Sequence, residues 1–184
     1  MSYAVEDYLV PAGAGTSSNT HLTLKIGSEK MGGDFSIMQG VMEPGDLLAP
    51  HTHDHEDQAV FVIDGELEFE IGGPDGLRFT AGPGSWVYKP RGVSHSFWNA
   101  TSTPVPYVEL SGRDGFQKWV RSHDGGNLKA AINGGRDFGM HMHFERIPVM
   151  LKQHGLKKLA GMEEPGPALK ATVQMALAAV RALR

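Results

Sequence analysis

The sequence predicts an all-β domain, a sandwich or barrel of short antiparallel strands, followed by a mostly helical C-terminal extension. Three observations predict it. Short runs of strand-forming residues recur at roughly ten-residue spacing from His21 onward. Glycine and proline, 24 and 11 of the 184 residues, fall mainly in the first two thirds of the chain, where they separate those runs as turns. After Gly112 the alternation gives way to helical spacing.

Taken in order, residues 1–18 are small and polar and read as an N-terminal arm. Residues 19–112 read as the β domain. Its clearest strand runs are HLTLKIG, FSIMQGVM, QAVFVID, ELEFEIGG, SWVYK, VSHSFWN and VPYVEL. Between Glu66 and Ile71 the alternation is regular: Leu67, Phe69 and Ile71 share one face, and Glu66, Glu68 and Glu70 share the other, which predicts a half-buried antiparallel strand with its glutamates in water. Asp64-Gly65 and the run Gly72 to Gly76 predict hairpin turns. Residues 113–184 read as an extension that packs on the barrel or on a second subunit. DGFQKWVRSH predicts a short helix, HDGGNLKAAINGG a loop, and Glu145 to Leu159 a helix with Pro148 near its start. Pro167 opens a final helix in which Leu169, Val173, Leu177, Val180 and Leu183 share a face.

Composition excludes several function classes. With no cysteine, disulfides, thiolate metal sites and cysteine nucleophiles are all ruled out. A net charge of −4 without a basic run argues against nucleic acid or an anionic membrane as partner, since both need clustered cations. No apolar run approaches the ~18 residues of a membrane span, and no basic start precedes an apolar core, so a cytoplasmic address is expected. The glycine-rich stretches lack the strand-to-helix setting of a phosphate loop.

The informative feature is histidine. His51, His53 and His55 fall within PHTHDHEDQ, and in a strand His51 and His53 project from the same face, where they can share one ion. His95 lies in another strand-like run, with Val93 and Phe97 on its face. A lone histidine on such a face is better explained by core packing; a histidine pair on a second strand changes the balance.

The spacing is specific. Gly45, His51, His53, Gln58 and Gly65, separated by five, one, four and six residues, resemble the first signature of the cupin superfamily. Gly84, Pro90, Gly92, His95 and Asn99, separated by five, one, two and three residues, resemble the second, and 18 residues lie between the blocks. The second match is complete; the first has Gln58 where the family usually has glutamate. The resemblance covers about residues 20–115 and implies a cupin-type double-stranded β-helix, or jelly-roll barrel, holding one divalent transition metal ion (Fe, Mn, Ni, Co, Cu or Zn) in one mouth. Carried over residue by residue, His51, His53 and His95 map to the three histidine ligands and Gln58 to the fourth. Asp57 is the rival for that fourth position, out of register by one residue, which in a strand means the opposite face. Gly45, Gly65, Gly84 and Gly92 are expected at positive-φ corners, Pro90 in a turn, and Asn99 bonding local backbone.

The block PHTHDHEDQAVFVIDGELEFEIGG…GPGSWVYKPRGVSHSFWN is similar in pattern to the quercetin 2,3-dioxygenase-like group of single-domain cupins. That resemblance implies an oxidoreductase: a metal-dependent dioxygenase acting on a small aromatic or enol-type, flavonol-like molecule. Gln58 pulls toward a second reading, a non-oxidative lyase, isomerase or cyclase that uses the metal as Lewis acid, because hydroxynitrile-lyase cupins are similar in having glutamine there. A third is a non-catalytic small-molecule binder. An amide keeps the ion's full charge, which favours an anionic substrate, and it removes the carboxylate that quercetinase-like cupins are implied to use as base. Glu56, Asp57 and His55 are nearby candidates for that base, and no catalytic residue is assigned. Paired barrels are usual in the superfamily, so a homodimer is expected.

The remaining candidates have plainer readings. His141 and His143 form a second pair without a third ligand and read as surface or packing residues. Trp86, Trp98 and Trp119 could line a pocket but more commonly pack, and the methionines read as gap-fillers. Ser94 and Ser96 flank His95 but point away from it, so a serine hydrolase is not supported.

Overall fold

The computed structural model describes residues 4–17, 21–122 and 137–162. Twelve strands form among them: β1 Thr16–Ser17, β2 Leu22–Ile26, β3 Phe35–Met42, β4 Asp46–His53, β5 Gln58–Val62, β6 Leu67–Ile71, β7 Leu77–Ala81, β8 Trp86–Lys89, β9 His95–Trp98, β10 Val105–Gly112, β11 Met140–Met142 and β12 Lys158–Leu159. Two α-helices join them, α1 Gly115–Ser122 and α2 Ile147–Gln153. The first sheet has the order β1-β2-β3-β10-β5-β8, and the second β11-β4-β9-β6-β7, with β12 added in parallel on β4. This is the jelly-roll, double-stranded β-helix that the strand pattern and the motif resemblance predict.

All seven predicted strand runs form strands. Their inner faces meet in one core, in which Met38, Met42, Val60, Val62, Leu67, Phe69, Phe97, Val105 and Tyr107 are wholly buried. Each large side chain removed from water there contributes roughly 1.5–3 kcal/mol. Phe97 links the sheets, with its ring 5.2 Å from Phe69 and 5.3 Å from Tyr107. Tyr107 fits because its cross-strand partner is Gly40: a Cβ at Gly40 would stand 2.6 Å from the Tyr107 ring. Gly45, Gly65, Gly84 and Gly92 all lie at positive φ, as expected. The Asn99 side chain donates to the carbonyls of Met42 and Thr103 at 2.8 and 2.7 Å, the local backbone role expected of it.

Three differences have physical causes. Glu70 does not face water: it is 1% exposed, because Arg78 of β7 and Arg146 cover it and bond its carboxylate. The helix expected over Glu145 to Leu159 is shorter. A 3-10 turn at Phe144–Arg146 leads into α2, the chain turns at Gly155 with φ 64°, and Lys158–Leu159 becomes β12. The segment around His141 forms β11, paired antiparallel with β4. α2 packs Met150, Ile147 and Leu151 on Leu47 and Trp98, the outer face of the second sheet. α1 forms as expected. The expected loop over 123–136 and the final helix from Pro167 lie outside the described residues, while the arm contributes a 3-10 turn at Val5–Asp7 and the short β1.

Candidate metal centre

The site starts with a bulge. Leu47 and Leu48 of β4 pair with Trp98 and Phe97 of β9, and His51 pairs with His95, so β4 carries one extra residue between Leu48 and His51. The extra residue reverses the facing of the strand. Leu47 faces α2 on the outside, whereas His51 and His53 face the barrel interior. β9 runs on without interruption, which leaves Phe97 and His95 on one inner face, as the sequence predicts. The turn ahead of β9 is tied to β4 by the Gly92 amide, which donates to the His53 carbonyl at 2.7 Å. The two motifs are therefore joined by backbone as well as by their side chains.

His51, His53 and His95 converge. Their potential ligand nitrogens all lie within 4.8 Å of one another, and the residues are 3%, 1% and 1% exposed. His51 Nδ1 lies 2.7 Å from the Ala49 carbonyl and His95 Nδ1 3.0 Å from the Val93 carbonyl. A carbonyl only accepts, so both Nδ1 atoms carry the proton and both Nε2 atoms carry the lone pair. Those Nε2 atoms stand 3.2 Å apart. Two lone pairs facing each other at that distance need a proton or a cation between them. Burial disfavours the proton: it lowers the His51 pKa to about 3, with the Lys89 charge as a further cause. Burial first, then His51 and Lys89, holds His53 and His95 well below the usual histidine value. His53 has no hydrogen-bond partner on either ring nitrogen. A divalent ion answers all of these. Two imidazole nitrogens each about 2.1 Å from one ion stand ~3.0–3.4 Å apart at bond angles of ~90–110°. The three imidazoles thus fit the expected ion.

Gln58, on the inner face of β5, is 2% exposed. Its Nε2 donates to Ser111 Oγ at 3.1 Å, and its Oε1, the atom that could meet a cation, has no partner. Asp57 is on the other side of the strand, at the surface. Its carboxylate accepts from Arg91 N and Nε and from Tyr88 Oη, and those hydrogen bonds, with the Arg91 bond first, hold its pKa below the usual carboxylate range. Asp57 is therefore engaged away from the imidazoles. His55 is exposed, as expected.

Glu56 occupies a position that its place in the sequence does not reveal. It is 3% exposed, and its carboxylate accepts the Gly115 and Phe116 amides at the start of α1, the latter at 2.8 Å. Its Oε2 also lies 3.6 Å from His53 Nδ1, beyond hydrogen-bond distance. Burial raises its pKa to about 7, against the opposing backbone hydrogen bonds of Phe116 and Gly115. Phe116 packs with its ring 5.3 Å from His53 and edge-on to it. A cavity of about 330 Å³ is lined in part by His55, Glu56, Arg113 and Lys118.

Lys89 and Glu109 were also missed, although the parity of Val87 with Lys89 and of Tyr107 with Glu109 turns both inward. Lys89 is 0% exposed, with Nζ 3.1 Å from Glu109 Oε1. Of the remaining sequence candidates, His141 pairs with Asp54 at the surface, at 2.7 Å, and His143 Nε2 meets Thr52 Oγ1 at 2.8 Å. Ser96 Oγ donates to the Leu48 carbonyl. Trp86 is exposed, Trp98 is buried against His154, and Trp119 stacks on Phe116.

The family model described as "Cupin domain" matches residues 38–111, which span both motifs and all four candidate ligands. The match and the architecture support the cupin superfamily. No curated protein matches the chain. Among solved structures, an uncharacterized protein with a double-stranded β-helix domain from Klebsiella pneumoniae is 20% identical with a TM-score of 0.45, over 61% of this chain and 89% of that one. A putative sugar phosphate isomerase from Acidithiobacillus ferrooxidans is 21% identical with a TM-score of 0.43, over 52% and 61%. A predicted oxalate decarboxylase from Thermotoga maritima is 21% identical with a TM-score of 0.44, over 50% and 78%. At these values the likenesses carry no argument about chemistry.

Proposed function

We propose that the protein is a metal-dependent cupin enzyme, a dioxygenase of the quercetin 2,3-dioxygenase-like kind acting on a small aromatic or enol-type substrate that arrives as an anion. The observation that carries the reading is the pair of unprotonated His51 and His95 Nε2 atoms 3.2 Å apart in a buried site. His51, His53 and His95 would hold the ion, with Gln58 Oε1 as the fourth donor. Bound there, a divalent transition metal supplies Lewis acidity and, for a redox-active ion, a route to dioxygen. The chain's own residues do the rest. The Ala49 and Val93 carbonyls fix the tautomers of His51 and His95, and the Phe116 ring packs edge-on against His53.

A second reading, a non-oxidative lyase, isomerase or cyclase, is favoured by the neutral donor set. Gln58 supplies no charge, and the nearby Glu56 and Asp57 carboxylates are engaged by α1 and Arg91. We expect wild-type protein purified without added metal to carry near-stoichiometric ion by elemental analysis, and His51→Ala and His95→Ala to lose it. Oxygen uptake is then followed across a flavonol and catechol panel. Turnover under strict anaerobiosis sinks the dioxygenase and leaves the second reading. Substoichiometric metal that the two substitutions do not change sinks both and leaves a metal-free binder.

A further inference from the structure

We propose that Lys89 is the specificity-determining residue of this centre, an anchor for an anionic oxygen, carboxylate or enolate, of the molecule that reaches the ion. The inference rests on the metal-centre reading above and names the class of substrate that the centre takes.

The backbone register sets the geometry. Ser36 pairs with Ser111, Ser111 with Gln58, and Gln58 with Lys89, so one row across β3, β10, β5 and β8 carries four polar side chains on the inner face. All four are buried, at 0%, 1%, 2% and 0% exposed. In the facing sheet His51 pairs with His95. A polar row of this kind is costly in a barrel interior unless its atoms are partnered, at about 1–3 kcal/mol for each group left unmatched. Here only the Gln58 amide nitrogen and Ser111 hydroxyl match each other within the row. Ser36 Oγ and Gln58 Oε1 have no partner.

Lys89 is the one charge in the row. Its Nζ donates to Glu109 Oε1 at 3.1 Å, one of the three donors that an ammonium carries, and stands 5.5 Å from the centre of the Phe97 ring. Glu109 balances its charge. Burial draws the lysine pKa down and Glu109 opposes that shift. Three neutral imidazoles and a neutral amide cancel none of an ion's charge, and the Lys89–Glu109 pair is neutral as a unit. The incoming molecule must bring the negative charge. Lys89 is the backbone neighbour of Gln58 across the strands, about 5 Å away along the sheet, and its side chain enters the same buried interior.

The test uses full-length protein loaded with Co(II), titrated with acetate and with the neutral, near-isosteric acetamide, and read by the visible cobalt bands. Wild type is expected to prefer acetate. Lys89→Met is expected to keep its cobalt and lose acetate affinity by roughly 10- to 100-fold, the effect of removing a charged hydrogen bond. Glu109→Gln, which removes the counter-charge of the ammonium, is expected to bind acetate more tightly than wild type. A purely structural ion pair predicts no such opposition between the two variants. The proposal is overturned if folded Lys89→Met binds acetate as wild type does, or if wild type shows no preference for the anion. Should Lys89→Met fail to fold, the double variant Lys89→Met, Glu109→Gln, which leaves no buried charge, decides: a loss of acetate affinity supports the proposal, and affinity equal to wild type overturns it. Wild type that retains no cobalt refutes the metal reading instead. Calorimetric acetate titration of the metal-free wild type and Lys89→Met then tests the anchor by the same criteria.

Discussion

A folded chain that holds two imidazole lone pairs 3.2 Å apart should be stabilised by any cation that fits between them. The perturbation is the addition of a divalent transition metal to chelator-treated protein, with His51→Ala as the control. Binding to the native state alone adds RT ln(1 + [L]/Kd), about 2.7 kcal/mol at a free ion concentration one hundred times Kd. For a chain of 184 residues each kcal/mol moves Tm by about 2–4 °C. The expected rise is therefore about 5–11 °C. His51→Ala removes one of the two facing nitrogens together with the tautomer set by the Ala49 carbonyl, so most of the rise should disappear. His95→Ala should remove it too, and the double variant should lose no more than either single one, because the three side chains form one site. The assay is differential scanning calorimetry across the six candidate ions, each with and without chelator. An equal rise in His51→Ala, or none in wild type with any ion, refutes the reasoning about the lone pairs.

Other outcomes follow from single contacts. Asn99→Ala removes a side chain that bonds Met42 O, Thr103 O, Thr101 N and Thr101 Oγ1, so urea unfolding should show a loss of about 2–4 kcal/mol. Asp57→Asn breaks an exposed pair with Arg91, and it should leave metal stoichiometry unchanged and stability within about 1 kcal/mol of wild type. Gln58→Glu should hold the ion more tightly in a competitive chelator titration; weaker retention would exclude Gln58 as a ligand. Burial pushes the Glu70 carboxyl up, but hydrogen bonds from Arg146 and Arg78 outweigh it and leave the folded pKa below the ordinary 4.5. A depressed folded pKa stabilises above the unfolded value, and that contribution is lost as pH falls through the folded one. Glu70→Gln should thus cost about 1–3 kcal/mol near neutral pH, because Arg78 and Arg146 keep some access to water, and its Tm deficit should shrink in acid. A deficit independent of pH would contradict this.

Much of the architecture is legible in the sequence because hydrophobic alternation and glycine turns act locally. β5 and β10 bury alternate residues against one core, and the pattern shows it. β7 alternates in the same way, yet its apolar Leu77 and Phe79 remain 71% and 39% exposed. β11 and β12 are three and two residues long and owe their form to pairing with β4, which no local pattern reports. The burial of Glu70 depends on Arg146, 76 residues away. At the centre, motif spacing brought out the three histidines. It did not bring out the bulge in β4 that aims two of them inward, since one extra residue is visible only against the partner strand. Lys89 and Glu109 are a different case. Their parity was readable, but inward-facing charges on separate strands become meaningful only once β10, β5 and β8 are known to be neighbours.

The acidic residues around the centre explain why a neutral donor set matters. Glu56 satisfies two amides at the start of α1, Asp57 binds Arg91 at the surface, and Glu109 balances Lys89 in the interior. Moving any of them to the ion would leave a broken contact behind: two orphaned amides, an unpaired guanidinium or an uncompensated buried ammonium. The last is the most costly, because a buried charge without its partner has neither water nor a counter-charge. These three carboxylates are therefore engaged away from the imidazoles. A substrate that brings its own negative charge supplies what they do not. It neutralises the cation, and it arrives already deprotonated at the oxygen that the ion activates. On the proposed reading, Gln58 and the lysine paired with it across the strands are two parts of one electrostatic arrangement, in which selectivity for anions would stand in for a catalytic base.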